Sequence, residues 1–146
     1  MGENSKMKNS DIIKATIEQM KNLEIPIYTR DTTEGYEKPC FFIEIEPDTI
    51  TQHNHDMVEY AIQITLTYID TRRDDVALSK LTETLRKLFI KRLKVGNRQL
   101  LISNFDYTNV GDNDELMEYT FTIRFYEEEA ETDDNELMQE VFLKEN

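Results

Sequence analysis

His53-Asn54-His55, with Asp48 and Asp56 close by, is the one grouping in the chain with the ligand chemistry of a metal site. An H-x-H spacing can present two imidazoles from one strand face, and a nearby carboxylate can complete a three-ligand set. The pair falls in a polar stretch, Pro47 to Asp56, between two strand patterns, and it reads as solvated loop histidines. Cys40 stands between Pro39 and Phe41 with no histidine within a few residues to activate it, and reads as a small buried hydrophobe. Glu44 and Glu46 share a strand face. Carboxylate pairs that do acid–base work need one member in an apolar pocket, and no residue pattern here supplies one. They read as a solvated or interface face.

The remaining chemistry is excluded by what is missing. Glycines stand only at 2, 35, 96 and 111, so no phosphate-cradling loop or dinucleotide fingerprint exists. There is no tryptophan, no G-x-S-x-G elbow and no H-E-x-x-H. One cysteine rules out a disulfide framework and a cysteine-rich zinc site, and suits reducing surroundings. The sequence therefore predicts no enzyme, no cofactor and no metal. Seventeen basic against thirty acidic residues give a formal charge of −13. Nucleic-acid binders need a cationic footprint, and this chain repels phosphate on average. The cations at the end of the second helix pattern, with Arg72, Arg73 and Arg98, are accounted for by dipole compensation and ion pairing. No apolar run approaches the length of a membrane span. Met1 to Ser10 lacks a signal-peptide h-region, and Lys6 breaks the myristoylation pattern begun by Met1-Gly2.

The elements that position these residues follow from periodicity. Ile13, Ile17 and Met20 recur at helical spacing, widened by Ile12 and Ala15, and predict a helix over residues 11–23 with Ser10 or Asp11 as its cap. Pro26 ends it. Ile27 to Thr29 is a short strand, and residues 31–39 are a loop. Phe41, Ile43 and Ile45 alternate with Phe42, Glu44 and Glu46. Val58, Tyr60, Ile62, Ile64, Leu66 and Tyr68 then alternate with Glu59, Ala61, Gln63, Thr65 and Thr67, the cleanest strand pattern in the chain. Leu78, Leu81, Leu85 and Leu88 line a second helix that opens on Asp74-Asp75 and runs to about Leu93, with Gly96 as its C′ residue. Strands over residues 100–107 and 117–125 close the set. Tyr60, Tyr68, Tyr119, Phe121 and Phe125 fall at core positions.

The order is αβββαββ. Two amphipathic helices cover only one face of a five-stranded sheet, which predicts an α+β two-layer sandwich, mostly antiparallel, whose other face is rich in Thr, Gln and Glu. At 146 residues the chain fits one domain burying about two-thirds of its unfolded surface. Residues 1–9 are read as a flexible N-terminus, 10–126 as the domain, and 127–146 as an acidic tail. That tail carries nine acids and one lysine. Its stretch 127–134 reads as a solvated run, followed by an apolar patch of Leu137, Met138, Val141 and Phe142.

Pro26-Ile27-Tyr28, the loop Glu34-Gly35-Tyr36-Glu37-Lys38-Pro39, the strand Phe41-Phe42-Ile43-Glu44-Ile45, and the long strand and helix after it resemble the phage tail terminator (tail completion) family. The likeness is closest to members from prophages and phage-tail-like particles of Gram-positive bacteria, and it covers residues 10–126. The resemblance implies a non-enzymatic virion protein, assembled in the bacterial cytoplasm. It would form a ring, usually a hexamer, that caps the tail tube and presents a head–tail joining surface to the connector. In contractile tails such a ring also anchors the sheath. The partners implied are other copies of the chain, the tail tube protein and the sheath protein.

A ring subunit makes two different side-to-side contacts. The candidate interface residues are Tyr36, Glu37, Glu44, Glu46, Gln63, Thr65, Thr67 and Ile69 on the domain, and Leu137, Val141 and Phe142 on the tail. The competing reading is an acidic DNA mimic that inhibits a host nucleic-acid-binding protein. Mimicry needs carboxylates spaced along the body, and here they concentrate at one end.

Overall fold

The computed structural model describes residues 7–29, 34–71, 74–90, 92–110 and 116–128. Helix α1 spans Asn9–Gln19 and is followed by a 3-10 turn, Lys21–Leu23. Strands β1 (Ile27–Thr29), β2 (Cys40–Gln52) and β3 (Met57–Ile69) precede helix α2 (Asp75–Leu88), and β4 (Arg92–Val95), β5 (Arg98–Val110) and β6 (Leu116–Glu128) follow it. The six strands form one sheet in the order β1-β2-β3-β6-β5-β4. Only the β1–β2 pair is parallel.

The architecture is α+β with two helices, and its sheet has six strands where five were expected. The added strand is β4. Leu93 stands four residues after Phe89 and so fits the helical stripe, but the helix ends at Leu88. Phe89 is fully buried and stacks on Phe121 with ring centroids 4.6 Å apart. From Arg92 the period is two: Leu93 and Val95 are buried, and Arg92 and Lys94 face solvent. Gly96, at φ 62, therefore serves the β4–β5 turn and does not cap the helix. Arg86 and Lys87 remain as the last-turn cations that complement the dipole.

Two boundaries also differ. Helix α1 starts earlier, and Asp11 accepts from the Lys8 N–H at 3.2 Å instead of serving as the cap residue itself. Strand β2 continues through Pro47 to Gln52, across a bulge between Pro47 and Thr49, where a polar turn was expected. The Phe41 N–H donates to the Pro26 carbonyl, away from β3. Alternation then points the Pro47 backbone to the outer edge, where a missing N–H breaks no ladder bond.

Both helices pack on one face of the sheet. Ile12, Met20, Leu85 and Phe89 share a core with Phe41, Ile43, Ile64, Leu66, Tyr119, Phe121 and Ile123. Gln19 ties the helices together by donating from Nε2 to the Leu88 carbonyl at 2.6 Å. Thr82 and Tyr119 share a hydroxyl–hydroxyl bond of 2.7 Å that joins α2 to the sheet. The aromatic residues expected in the core lie there: Tyr119 and Phe121 are fully buried, Tyr68 and Phe125 nearly so, and Tyr60 stacks on Phe125 at 5.3 Å. Among the described residues, no helix is long and apolar enough to cross a membrane.

Candidate assembly surface

The side of the sheet that neither helix covers is built from alternate residues of four strands in register, each thirteen residues long. The outermost row, Cys40–Ile69–Leu116–Val110, is apolar. Next come Phe42–Thr67–Glu118–Thr108, then Glu44–Thr65–Thr120–Asp106, then Glu46–Gln63–Thr122–Ser103. The three polar rows hold four carboxylates and no cation. Threonine suits this position because its β-branch fits the pleat and its hydroxyl satisfies a half-exposed surface.

Of the residues singled out from the sequence, Glu44, Glu46, Gln63, Thr65, Thr67 and Ile69 are thus brought together on one face. Tyr36 joins them at a corner. Its ring lies 5.1 Å from Phe42 and 6.2 Å from Tyr28, and Tyr28 and Phe42 are 5.8 Å apart. The Glu37 N–H donates to the Tyr28 hydroxyl at 3.2 Å, pinning the loop over the strand. Leu137, Val141 and Phe142 lie outside the described residues, as do Arg72 and Arg73. Asp106, Glu118, Thr120 and Thr122 were not singled out. Period 2 in the last strand gives the parity of three of them, but their row mates depend on β6 lying between β3 and β5, which no local pattern reports.

A second polar group lies at the far end of this face. His53 Nε2 meets Glu59 Oε1 at 2.9 Å, and Arg124 Nη1 lies 3.5 Å from Glu59 Oε2. The hydrogen bond from His53, then the charge of Arg124, hold the Glu59 carboxyl below its usual range. The His53 ring packs on Tyr126 at 5.5 Å. His53 is therefore committed to a carboxylate, and His55 and Asp48 do not join it: among the described residues no group of three metal-ligating side chains exists. Cys40 is fully buried, and burial pushes its thiol up, away from nucleophilic use.

One acidic residue is placed contrary to expectation. Glu127, read as part of a solvated run, belongs to β6 and is only 8% exposed. It accepts from the Met7 N–H at 3.0 Å and from Arg98 Nη1 at 3.0 Å. Arg98 also donates to the Tyr126 carbonyl and lies 5.6 Å from the Phe125 ring centre. Its charge is thus spent within the fold, as dipole and ion-pair arguments anticipated. Open grooves remain elsewhere. One of about 650 Å³ lies between α1 and the β4–β5 turn, and one of about 600 Å³ is bordered by Leu101, Arg124 and Tyr126. Neither combines an enclosed apolar wall with converging acids.

The fold is thus an α+β scaffold that spends one sheet face on its own core and offers the other outward. One solved structure, a chain carrying no functional description, superposes at TM-score 0.51 with 11% identity, over 85% of this chain and 97% of that one, which is a likeness of fold alone. No curated protein matches the chain. A family model described as phage tail terminator protein matches residues 11–136, and the chain belongs to that family. The match extends past residue 126, where the resemblance read from the sequence stopped. The protein is accordingly a structural component of phage tails.

Proposed function

We propose that this chain forms a closed ring of identical copies, six by the family resemblance, that caps a phage or phage-like tail tube. Such a ring would stop tube polymerisation and present a joining surface to the head connector and, in a contractile tail, to the end of the sheath. Assembly would take place in the bacterial cytoplasm, with other copies and the tube protein as the first partners. The observation that carries this reading is the uncovered sheet face: rows of Thr, Gln, Glu and Asp across four long strands, with an aromatic corner at Tyr28, Tyr36 and Phe42. An antiparallel sheet can leave such a face to water, and a ring can turn it toward a lumen. In a ring whose lumen passes DNA, an excess of carboxylates on that face would repel phosphate and leave the channel unoccupied.

The net charge sets a testable condition. Six copies carry a formal −78 (6 × −13), so copies repel at low ionic strength. Assembly is expected to strengthen as the Debye length falls from ~30 to ~8 Å. Native mass spectrometry across salt concentrations, with negative-stain images of the protein alone and mixed with tail tubes, tests the proposal. Ring particles seated on tube ends support it. A monomer at every salt concentration, with bare tube ends, rejects it.

A further inference from the structure

We propose that the cationic end of the uncovered face is the dock for the C-terminal segment, residues 129–146, of a neighbouring copy. This rests on the ring reading and names one contact between its subunits.

The uncovered face is not uniform from end to end. Glu44, Glu46, Asp106 and Glu118 stand on its polar rows with no cation among them. Beyond the row Glu46–Gln63–Thr122–Ser103 the composition reverses. The next row is Thr49–Ala61–Arg124–Leu101–Arg92. In the row after it, Glu59 lies opposite Tyr126 and Gln99 opposite Lys94. In these two rows three cations meet one carboxylate, and Glu59 is already engaged by His53 and Arg124. Arg92 and Lys94 are exposed, and among the described residues no acid pairs with either.

Between the cations lies open apolar surface. Leu101 is 53% exposed and Tyr126 is 51% exposed. Both border the groove of about 600 Å³, and the His53 ring steadies Tyr126 from one side at 5.5 Å. Tyrosine and arginine at a groove are the residue types on which binding energy concentrates. An apolar centre rimmed by cations fits a partner with apolar residues and flanking acids.

The C-terminal segment has that composition. Residues 129–146 hold seven acids and one lysine. Leu137, Met138, Val141 and Phe142 recur at a spacing that gathers them on one side of a helix. Glu136 and Glu140 border that stripe one turn apart, about 6 Å along the axis. Arg92 and Lys94 stand two residues apart on β4, about 6.6 Å. The acids therefore match the cations in spacing: the stripe would lie on Leu101 and Tyr126 while the two carboxylates meet Arg92 and Lys94. An amphipathic helix seated in a groove is a recurring mode of recognition. The four carboxylates elsewhere on the face would repel so acidic a segment and leave it this end.

Position and length point to a neighbouring copy. Strand β6 ends at Glu128, two residues beyond Tyr126, so the segment leaves the fold at the cationic end. From Glu128 to Leu137 the chain can span about 30 Å. A six-stranded sheet measures about 24 Å from first strand to last, so the segment can cross one subunit. Within a single chain Leu101 and Tyr126 keep half their surface open, which a segment laid back on its own patch would cover.

Two preparations of the full chain, one Leu101→Cys and one Val141→Cys, are mixed and oxidised across the salt series. A mixed disulfide dimer is expected; Cys40 is fully buried and does not compete. The chain carrying both substitutions is expected to give linked species up to the ring. Arg92→Glu with Lys94→Glu is expected to cut ring yield at least tenfold at an unchanged melting temperature. Adding Glu136→Lys and Glu140→Lys is expected to restore it, which a misfolded chain would not allow. A labelled peptide of residues 129–146 is expected to bind the unmodified chain at least tenfold more tightly than the Arg92→Glu, Lys94→Glu chain. Disulfides formed only within single chains put the segment on its own copy and overturn the proposal. Equal ring yield in the Arg92→Glu, Lys94→Glu chain, or equal peptide binding by both chains, overturns it as well and leaves the ring reading intact. Peptide binding that depends on Arg92 and Lys94, with no ring at any salt concentration, upholds the dock and overturns the ring reading itself.

Discussion

The two faces of the sheet are made from the same strands, yet they answer different requirements. On the helix side the central positions are large and apolar, and α1 and α2 exclude water from them. On the other side the alternate residues are Thr, Gln and Glu in rows that neither helix covers. The first face supplies the free energy of folding, since burial scales with apolar area removed from water. The second contributes little to the monomer's stability and is free to be shaped by what it meets. Stability and assembly are therefore expected to respond to different substitutions, and four measurements sharpen or break that division.

The largest effect falls on the covered face. Phe121→Ala removes a fully buried ring that stacks on Phe89, and is expected to cost about 3–5 kcal/mol in urea unfolding. A loss under 1 kcal/mol would mean that this face is not the core.

A smaller loss comes from alkali. Burial first, then the hydrogen bond to Asp70, pushes the Tyr68 phenol up, and burial does the same for Tyr119. In the unfolded chain tyrosines titrate near 10. Above that pH the unfolded state gives up protons that the folded state keeps, so this contribution is complete below pH ~10 and lost as pH rises. The urea midpoint is expected to hold from pH 8 to 9.5 and then to drop, less steeply in Tyr68→Phe. An unchanged slope in that variant would show that Tyr68 is not held protonated by the covered face.

The helix that does the covering depends on its cap. Asp74 accepts from the N–H groups of Val76 and Ala77 at 3.1 and 3.2 Å. Asp74→Ala is expected to cost about 1 kcal/mol, read as a lower melting temperature, with Asp74→Asn restoring most of it.

The smallest effect on stability belongs to the uncovered face. Thr65→Ala is expected to change stability by no more than ~0.5 kcal/mol while altering ring yield in native mass spectra. A loss of 2 kcal/mol or more in the monomer would erase the distinction between the faces.

Much of this division was legible in the residues. Six apolar side chains in strict alternation from Val58 to Tyr68 announced a strand with one buried face, and the parity of Glu44, Gln63, Thr65 and Thr67 put them opposite it. The two helices were equally readable from their leucine and isoleucine stripes. Strand β4 was hidden because Leu93 satisfies both the helical and the alternating period, and the helix ends before it, where Phe89 packs on Phe121. Glu127 was misread because its neighbours in sequence are acidic, whereas its partners Arg98 and Met7 lie 29 and 120 residues away.

By itself, then, the chain's order of residue types determined where both helices and five of the six strands lie, and which side chains of the long strands face inward. These are local matters of period and punctuation. Tertiary structure alone decided the order β1-β2-β3-β6-β5-β4, and with it the rows on the uncovered face and the burial of Glu127. Strand order is set by which long-range pairings bury the most apolar surface together, a property of the whole chain that no short window of sequence contains.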